Sequence, residues 1–370
     1  MFRCTYRPSM AVGVVLLWSA VSAHADEFEM VLTLDSVTNL HGGIDEGSDV
    51  LANLDVSYSI TTQECSLWGN GEFFVYVLGT DGDNPSERIG DVQVTSNIEA
   101  DDGIKVYELW YQHHFFDNSF HALTGLHDFN SAFSTLNNTD IFLNSSFGIG
   151  PDISQTGPSI FPTTALGVHL LFERGRHYFQ FASYDGVPGD PENPRGTHVN
   201  FDDGDGLFNA MEWGMVGPVN AYYKLALGVW QHTTDAPNDV RGGMSSENSG
   251  AYFLAEKNIS ERTGLFLQLG KADNERNFAT DYIGAGIKFA EFASFPGSAG
   301  IGVAHVLLNE DYRQTVSQTT AHETAVEFTY RVELGEHFAL QPDLQYIVNP
   351  GFDATLDNAV VFSLRFEASL

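Results

Sequence analysis

The chain has 370 residues, 43% hydrophobic, 13% aromatic and 18% charged, and its 49 acids against 17 bases leave a formal charge of −32. That balance excludes a broad nucleic-acid surface, which needs clustered Lys and Arg, and 28 Phe, 14 Tyr and 5 Trp supply too much core-forming surface for a disordered chain. Past residue 25 no stretch nears the roughly 20 consecutive apolar residues of a membrane helix, so a helical membrane bundle is excluded as well.

At the N-terminus, Arg3 and Arg7 precede the apolar run 10–21, and Ala23-His24-Ala25 fits a small-x-small cleavage site. Residues 1–25 therefore read as a signal peptide and residues 26–370 as one domain. Cleavage removes two Arg and no acid, so the mature chain carries 15 bases against 49 acids, a charge of −34. Cys4 leaves with the leader and Cys65 stays alone, so no internal disulfide can form. Cys65 reads as a small packed residue.

From there on the dominant hydrophobic period is two, which puts apolar side chains on one face of a strand and would scatter them around a helix. Sixteen segments fit, near 31–38, 49–60, 68–79, 103–116, 120–128, 164–173, 177–187, 208–217, 221–232, 249–258, 263–272, 280–289, 298–307, 322–333, 337–347 and 358–370. Early examples are Leu54-Val56-Tyr58-Ile60 and Tyr223-Leu225-Leu227-Val229. The clearest come last: Val326, Phe328, Tyr330 and Val332 alternate with Glu327, Thr329, Arg331 and Glu333, and Val360, Phe362, Leu364 and Phe366 alternate with Val361, Ser363, Arg365 and Glu367. Short turns such as 217–220 and 335–336 alternate with long polar loops at 129–163, 188–207, 233–248 and 308–321. Short turns at one end, long loops at the other and an even strand number predict an all-β fold, a transmembrane antiparallel β-barrel with a long inward loop. Closure satisfies every backbone group in lipid, and Tyr111, Phe115, Trp230, Tyr330 and Phe338 suit interfacial girdles.

Specific runs then stand out in chain order. Tyr107-Glu108-Leu109-Trp110, Asn144-Ser145-Ser146-Phe147-Gly148 with Pro151-Asp152, Ala165-Leu166-Gly167-Val168, Tyr184-Asp185-Gly186-Val187-Pro188-Gly189-Asp190-Pro191, Pro342-Asp343-Leu344-Gln345-Tyr346 and Leu364-Arg365-Phe366-Glu367 resemble the carbohydrate-selective porins of the OprB family. The resemblance runs from about Asp35 to the C-terminus. It implies a sixteen-stranded outer-membrane barrel that passes sugars and other small hydrophilic solutes by diffusion.

The chain shows no nucleophile elbow, zinc-protease motif, P-loop or paired Cys-x-x-Cys, so no catalytic set and no cofactor is expected. His113-His114, with His121 and His127, is better read as girdle or lumen lining, because adjacent strand residues point to opposite faces. Asp81-Gly82-Asp83-Asn84 and Asp202-Asp203-Gly204-Asp205 offer oxygen ligands without the full spacing of a calcium loop. They read as solvated outer loops, with Ca²⁺ bridging as the sharper alternative.

Pore chemistry is more telling. A loop as long as 129–163 is usually functional, and folded inward it would present Asn137, Asn138, Asp140, Asn144 and Asp152 at a constriction. On the preceding strand Glu108, Trp110 and Gln112 share a face opposite Tyr107, Leu109 and Tyr111. A carboxylate beside an indole suits a sugar, which offers hydroxyls to one and an apolar face to the other; the competing reading packs Trp110 against the loop. Arg331 and Arg365, beside Glu327, Glu333 and Glu367, form either a transverse field or a structural ion-pair ladder. The expected partners are small neutral sugars and outer-membrane lipid. A general cation-preferring porin and a plugged scaffold barrel are the rival functions.

Overall fold

The computed structural model describes residues 27–62, 69–238, 240–245, 247–291 and 297–370; the leader and Cys65 lie outside the described residues. Period-two alternation yields β1 (Glu27–His41), β2 (Gly47–Thr61), β3 (Gly71–Gly82), β4 (Gly103–Phe115), β5 (Phe120–His127), β6 (Ala165–Arg174), β7 (His177–Asp185), β8 (Leu207–Val216) and β9 (Tyr223–His232). A two-residue ribbon, β10 (Ala236–Pro237) with β11 (Met244–Ser245), interrupts the series. It resumes with β12 (Asn248–Ser260), β13 (Thr263–Ala272), β14 (Ala279–Phe289), β15 (Ser298–Leu308), β16 (His322–Glu333), β17 (Phe338–Val348) and β18 (Ala359–Ser369). All but the ribbon form one closed antiparallel barrel of sixteen strands, in which β9 pairs directly with β12 and β18 returns to β1.

The faces follow the sequence pattern. Phe328, Leu344, Phe362 and Leu364 are 38–45% exposed on the outside, whereas Glu327, Asp343, Val361 and Ser363 are buried within. Two side chains depart from the expectations drawn for them. Trp230 faces inward and stacks on Phe208 at 6.2 Å, so it belongs to no girdle; its inward partners on β9 are Ala226 and Gly228, small enough to leave room for the ring. Tyr107 does not oppose Glu108. A bulge sets the two β4 residues against the Tyr76–Val77 step of β3, and an extra residue cancels the alternation, so both point inward.

Part of the lumen is filled by chain. Residues 129–163, which include the short helix α2 (Pro151–Ser154), fold inside and bury Phe129, Phe133, Phe142, Phe147 and Ile153 in a common core with the wall. The wall makes space with small residues. A Cβ on Gly300 would lie 2.8 Å from the Phe142 ring, and one on Gly302 would lie 2.5 Å from Phe147. Residues 83–102, with α1 (Pro85–Ile89), also turn inward and bury Val92's neighbours Asp91, Gln93, Thr95 and Ser96. That second inward segment was not expected. A third short helix, α3 (Glu310–Thr315), caps an outer loop.

Candidate functional site

The inner segments lack a sheet of their own, so their peptide N–H groups need acceptors elsewhere. The wall supplies carboxylates. Glu108 accepts from Asp128 N at 2.7 Å and Glu212 from Ser134 N at 3.2 Å. Glu256 takes Asn137 N and Asn138 N at 3.1 and 2.9 Å, and Glu327 takes Leu143 N and Asn144 N at 2.6 and 3.0 Å. Glu323 binds the other segment through Val92 N at 3.0 Å and Gln93 N at 3.1 Å. Ser96 donates to Asp35 at 2.7 Å, and Thr95 and Gln345 exchange bonds at 2.9 and 2.7 Å. The two segments join each other through Asn97 N to Leu143 O (2.8 Å) and Ser145 N to Val94 O (2.9 Å).

The expected constriction residues mostly serve this scaffold. Glu108 and Trp110 share a face as anticipated, but Glu108 lies beneath the start of the loop, 4% exposed, while Trp110 is half-buried against the wall, stacked on Phe74 at 4.9 Å with His127 at its edge. Burial under a folded loop therefore corrects the reading in which Glu108 meets the solute. Gln112 lies further along the same face, half-buried beside His114. Asn137 and Asn138 direct their amides to Tyr222 Oη (2.8 Å) and Asn258 Oδ1 (3.3 Å). Asp140 is ion-paired with Lys288, and Asn144 caps Ser146 N and binds Gln345. Asp152 is buried in a narrow cleft whose lining includes Tyr252, Gly270 and Tyr282.

The arginines resolve toward a ladder. Arg365 grips Asp35 with two bonds of 2.7 and 2.8 Å and reaches Asn97 Oδ1 at 2.7 Å, while Arg331 pairs with Glu367 and Glu333. Both cations are thus matched by an adjacent anion.

Other inward polar groups lie outside the expected set. On β2 and β3, half-buried Asp55 accepts Tyr76 Oη at 2.5 Å and Asn53 Nδ2 at 2.7 Å. Tyr107 donates to Asp128 at 2.6 Å, and Asn97 is exposed at the tip of its segment. Tyr107 was hidden by the bulge. Glu212 and Glu256 had a visible signal, each being an acid at an inward position among small or apolar residues. Burial raises the acids of the inner segments: Asp91 and Asp128 to about 6, Asp152 to about 7, and Glu99, which also faces Asp91, to about 7.

His113 and His114 take opposite faces; His114 packs edge-on against His121 at 4.6 Å. Among the described residues no three His, Cys, Asp or Glu side chains converge as a metal centre. In the 202–205 turn Asp205 is already engaged, accepting Asp202 N at 2.6 Å.

A closed sixteen-stranded wall narrowed by inward-folded chain defines a porin. The carbohydrate-selective porin, OprB family, matches residues 45–370, and the chain belongs to that family. No curated protein sequence matches it. Among solved structures, the fold is similar to the high-pH structure of Pseudomonas putida OprB, with TM-score 0.81 and 18% identity over 93% of this chain and 94% of that one. The low-pH structure of the same protein gives TM-score 0.60 at 15% identity over 93% and 92%. A mutant of Rh. blastica porin gives 0.59 at 12% over 94% and 100%. At such identities these likenesses show the fold; the family match carries the function, that of a passive carbohydrate-selective porin.

Proposed function

We propose that the protein acts in the outer membrane as a non-catalytic channel through which small sugars and comparable hydrophilic solutes diffuse, with a preference for cations among ions. The observation that carries the reading is the lumen itself, closed against lipid on all sides and narrowed by two inner segments. Solute hydroxyls find acceptors and donors at Asp55, Tyr76 and Asn97, and a wet polar rim supports weak, millimolar-type binding worth roughly 4 kcal/mol. The cation preference rests on acids that folding does not bury, among them half-buried Asp55 and Glu72 and exposed Asp101 and Asp102. Residues 1–25 serve export and are removed at Ala25, which N-terminal sequencing of the mature protein checks. Sugar-titrated conductance in a planar bilayer tests the channel: a cation-biased reversal potential with partial sugar block is expected. Absence of current would favour a plugged scaffold, and an anion bias would refute the assignment of the rim.

A further inference from the structure

We infer that Glu212, Glu256, Glu323 and Glu327 are positioning residues of this channel, whose carboxylates hold the two inner segments through backbone N–H groups and so set the aperture without contributing to ion selectivity. The inference rests on the porin reading. All four side chains sit at inward positions and are at most 3% exposed, so none meets a passing ion. Each accepts at least two hydrogen bonds. Glu256 takes two consecutive N–H groups and the Tyr222 hydroxyl at 2.5 Å, and Glu327 takes two consecutive N–H groups. Glu323 takes Val92 N, Gln93 N and Gly351 N, so it ties an inner segment to the outer turn between β17 and β18. Glu212 accepts Ser134 N, the hydroxyls of Tyr178 and Tyr252 at 2.6 and 2.7 Å, and Gln180 Nε2 at 3.0 Å.

Consecutive N–H groups on one carboxylate demand acceptors on both oxygens. A glutamine of the same shape offers one acceptor and turns an NH₂ toward the second N–H, leaving two donors face to face. Since a buried donor left without an acceptor is costly, the amides released by Glu256→Gln or Glu327→Gln should exchange with solvent roughly tenfold faster or more. A charge used for selectivity would behave differently, because its loss would shift the reversal potential and leave the loop at rest.

The test compares Glu256→Gln and Glu327→Gln with the wild-type barrel, using single-channel recording in a salt gradient and hydrogen exchange of residues 134–146. Faster exchange, loss of a single steady conductance level and an unchanged reversal potential are expected in both variants. A shifted reversal potential with a steady level and native exchange would overturn the inference, as would native behaviour in every readout, which would mean that the apolar core holds the loop alone. If a glutamine variant fails to assemble, Tyr222→Phe removes one donor from Glu256 while keeping the charge. It should show a weaker form of the same loosening, and native exchange of residues 134–146 would count against the inference. A folded wild-type barrel that passes no current would refute the porin reading, and exchange in the variants would still judge the anchors.

Discussion

Asp152 lies over the Cα of Gly270, where any side chain on that glycine would collide with its carboxylate. Burial pushes this carboxyl from the ordinary 3.8 up to about 7. With the folded value raised, the docked loop carries no penalty at low pH, begins to be opposed as pH rises past about 4, and is opposed fully above about 7. The difference corresponds to ~4 kcal/mol. Loop fluctuation in single-channel records should therefore grow between pH 4 and 8; Asp152→Asn should remove this loop's share, and Glu99→Gln the share of the other segment. Noise that does not change with pH in the wild type would defeat the prediction. On neighbouring strands of the wall, Arg365 of β18 and Asp35 of β1 form a buried pair, so Arg365→Met alone should destabilise the barrel by ~3–5 kcal/mol, and adding Asp35→Leu should recover much of it. Thermal unfolding in detergent measures both; equal loss in single and double variants would show that the pair itself contributes little. Such pairing was beyond the sequence, because Asp35 and Arg365 are 330 residues apart and meet only when β18 closes onto β1.

At the scale of elements, the inner loop depends on glycines in β15 as much as on its own residues. Gly302→Val would press against Phe147 and Phe142, and overpacking of this kind costs ~1–3 kcal/mol. The expected result is an assembled barrel with a displaced loop and altered conductance, and native conductance would contradict it. On the wall, Leu364→Arg and Phe328→Arg put a charge against lipid at a cost of ~2–4 kcal/mol near the midplane. Ser57→Arg, half-buried on the inner face of β2, should assemble normally and reduce conductance. Equal harm from all three, read by heat-modifiable migration on gels, would mean a register slipped by one residue. Strands were legible because alternation is local, recorded within ten consecutive residues. The bulge at Tyr107 was not, since it depends on how β4 meets β3. The inward turn of residues 83–102 was not legible either, because their polar groups are satisfied by partners such as Glu323 and Gln345, far away in the chain.

For the whole molecule, strand parity places the long connections at one mouth and the short turns at the other. Epitope tags at Asp203 and Gln314 should be reached from outside intact cells, and a tag at Pro218 should be silent; labelling at Pro218 would invert the topology. The negative charge of the chain, read as a property of the lumen, is redistributed by folding, because several inward acids are consumed by loop N–H groups and by Arg331 and Arg365. Period-two patterning and the spacing of turns by themselves determined that the chain closes into a sixteen-stranded barrel and which face of each strand meets lipid, since a single residue carries its face along wherever the strand goes. The identity of the groups that border the passage was decided only by the tertiary structure. Whether Glu108, Glu256 or Asp55 meets a solute depends on where two loops come to rest. That position is set by hydrogen bonds and ring packing between residues about 20 to 250 positions apart, whose partners no local pattern reveals.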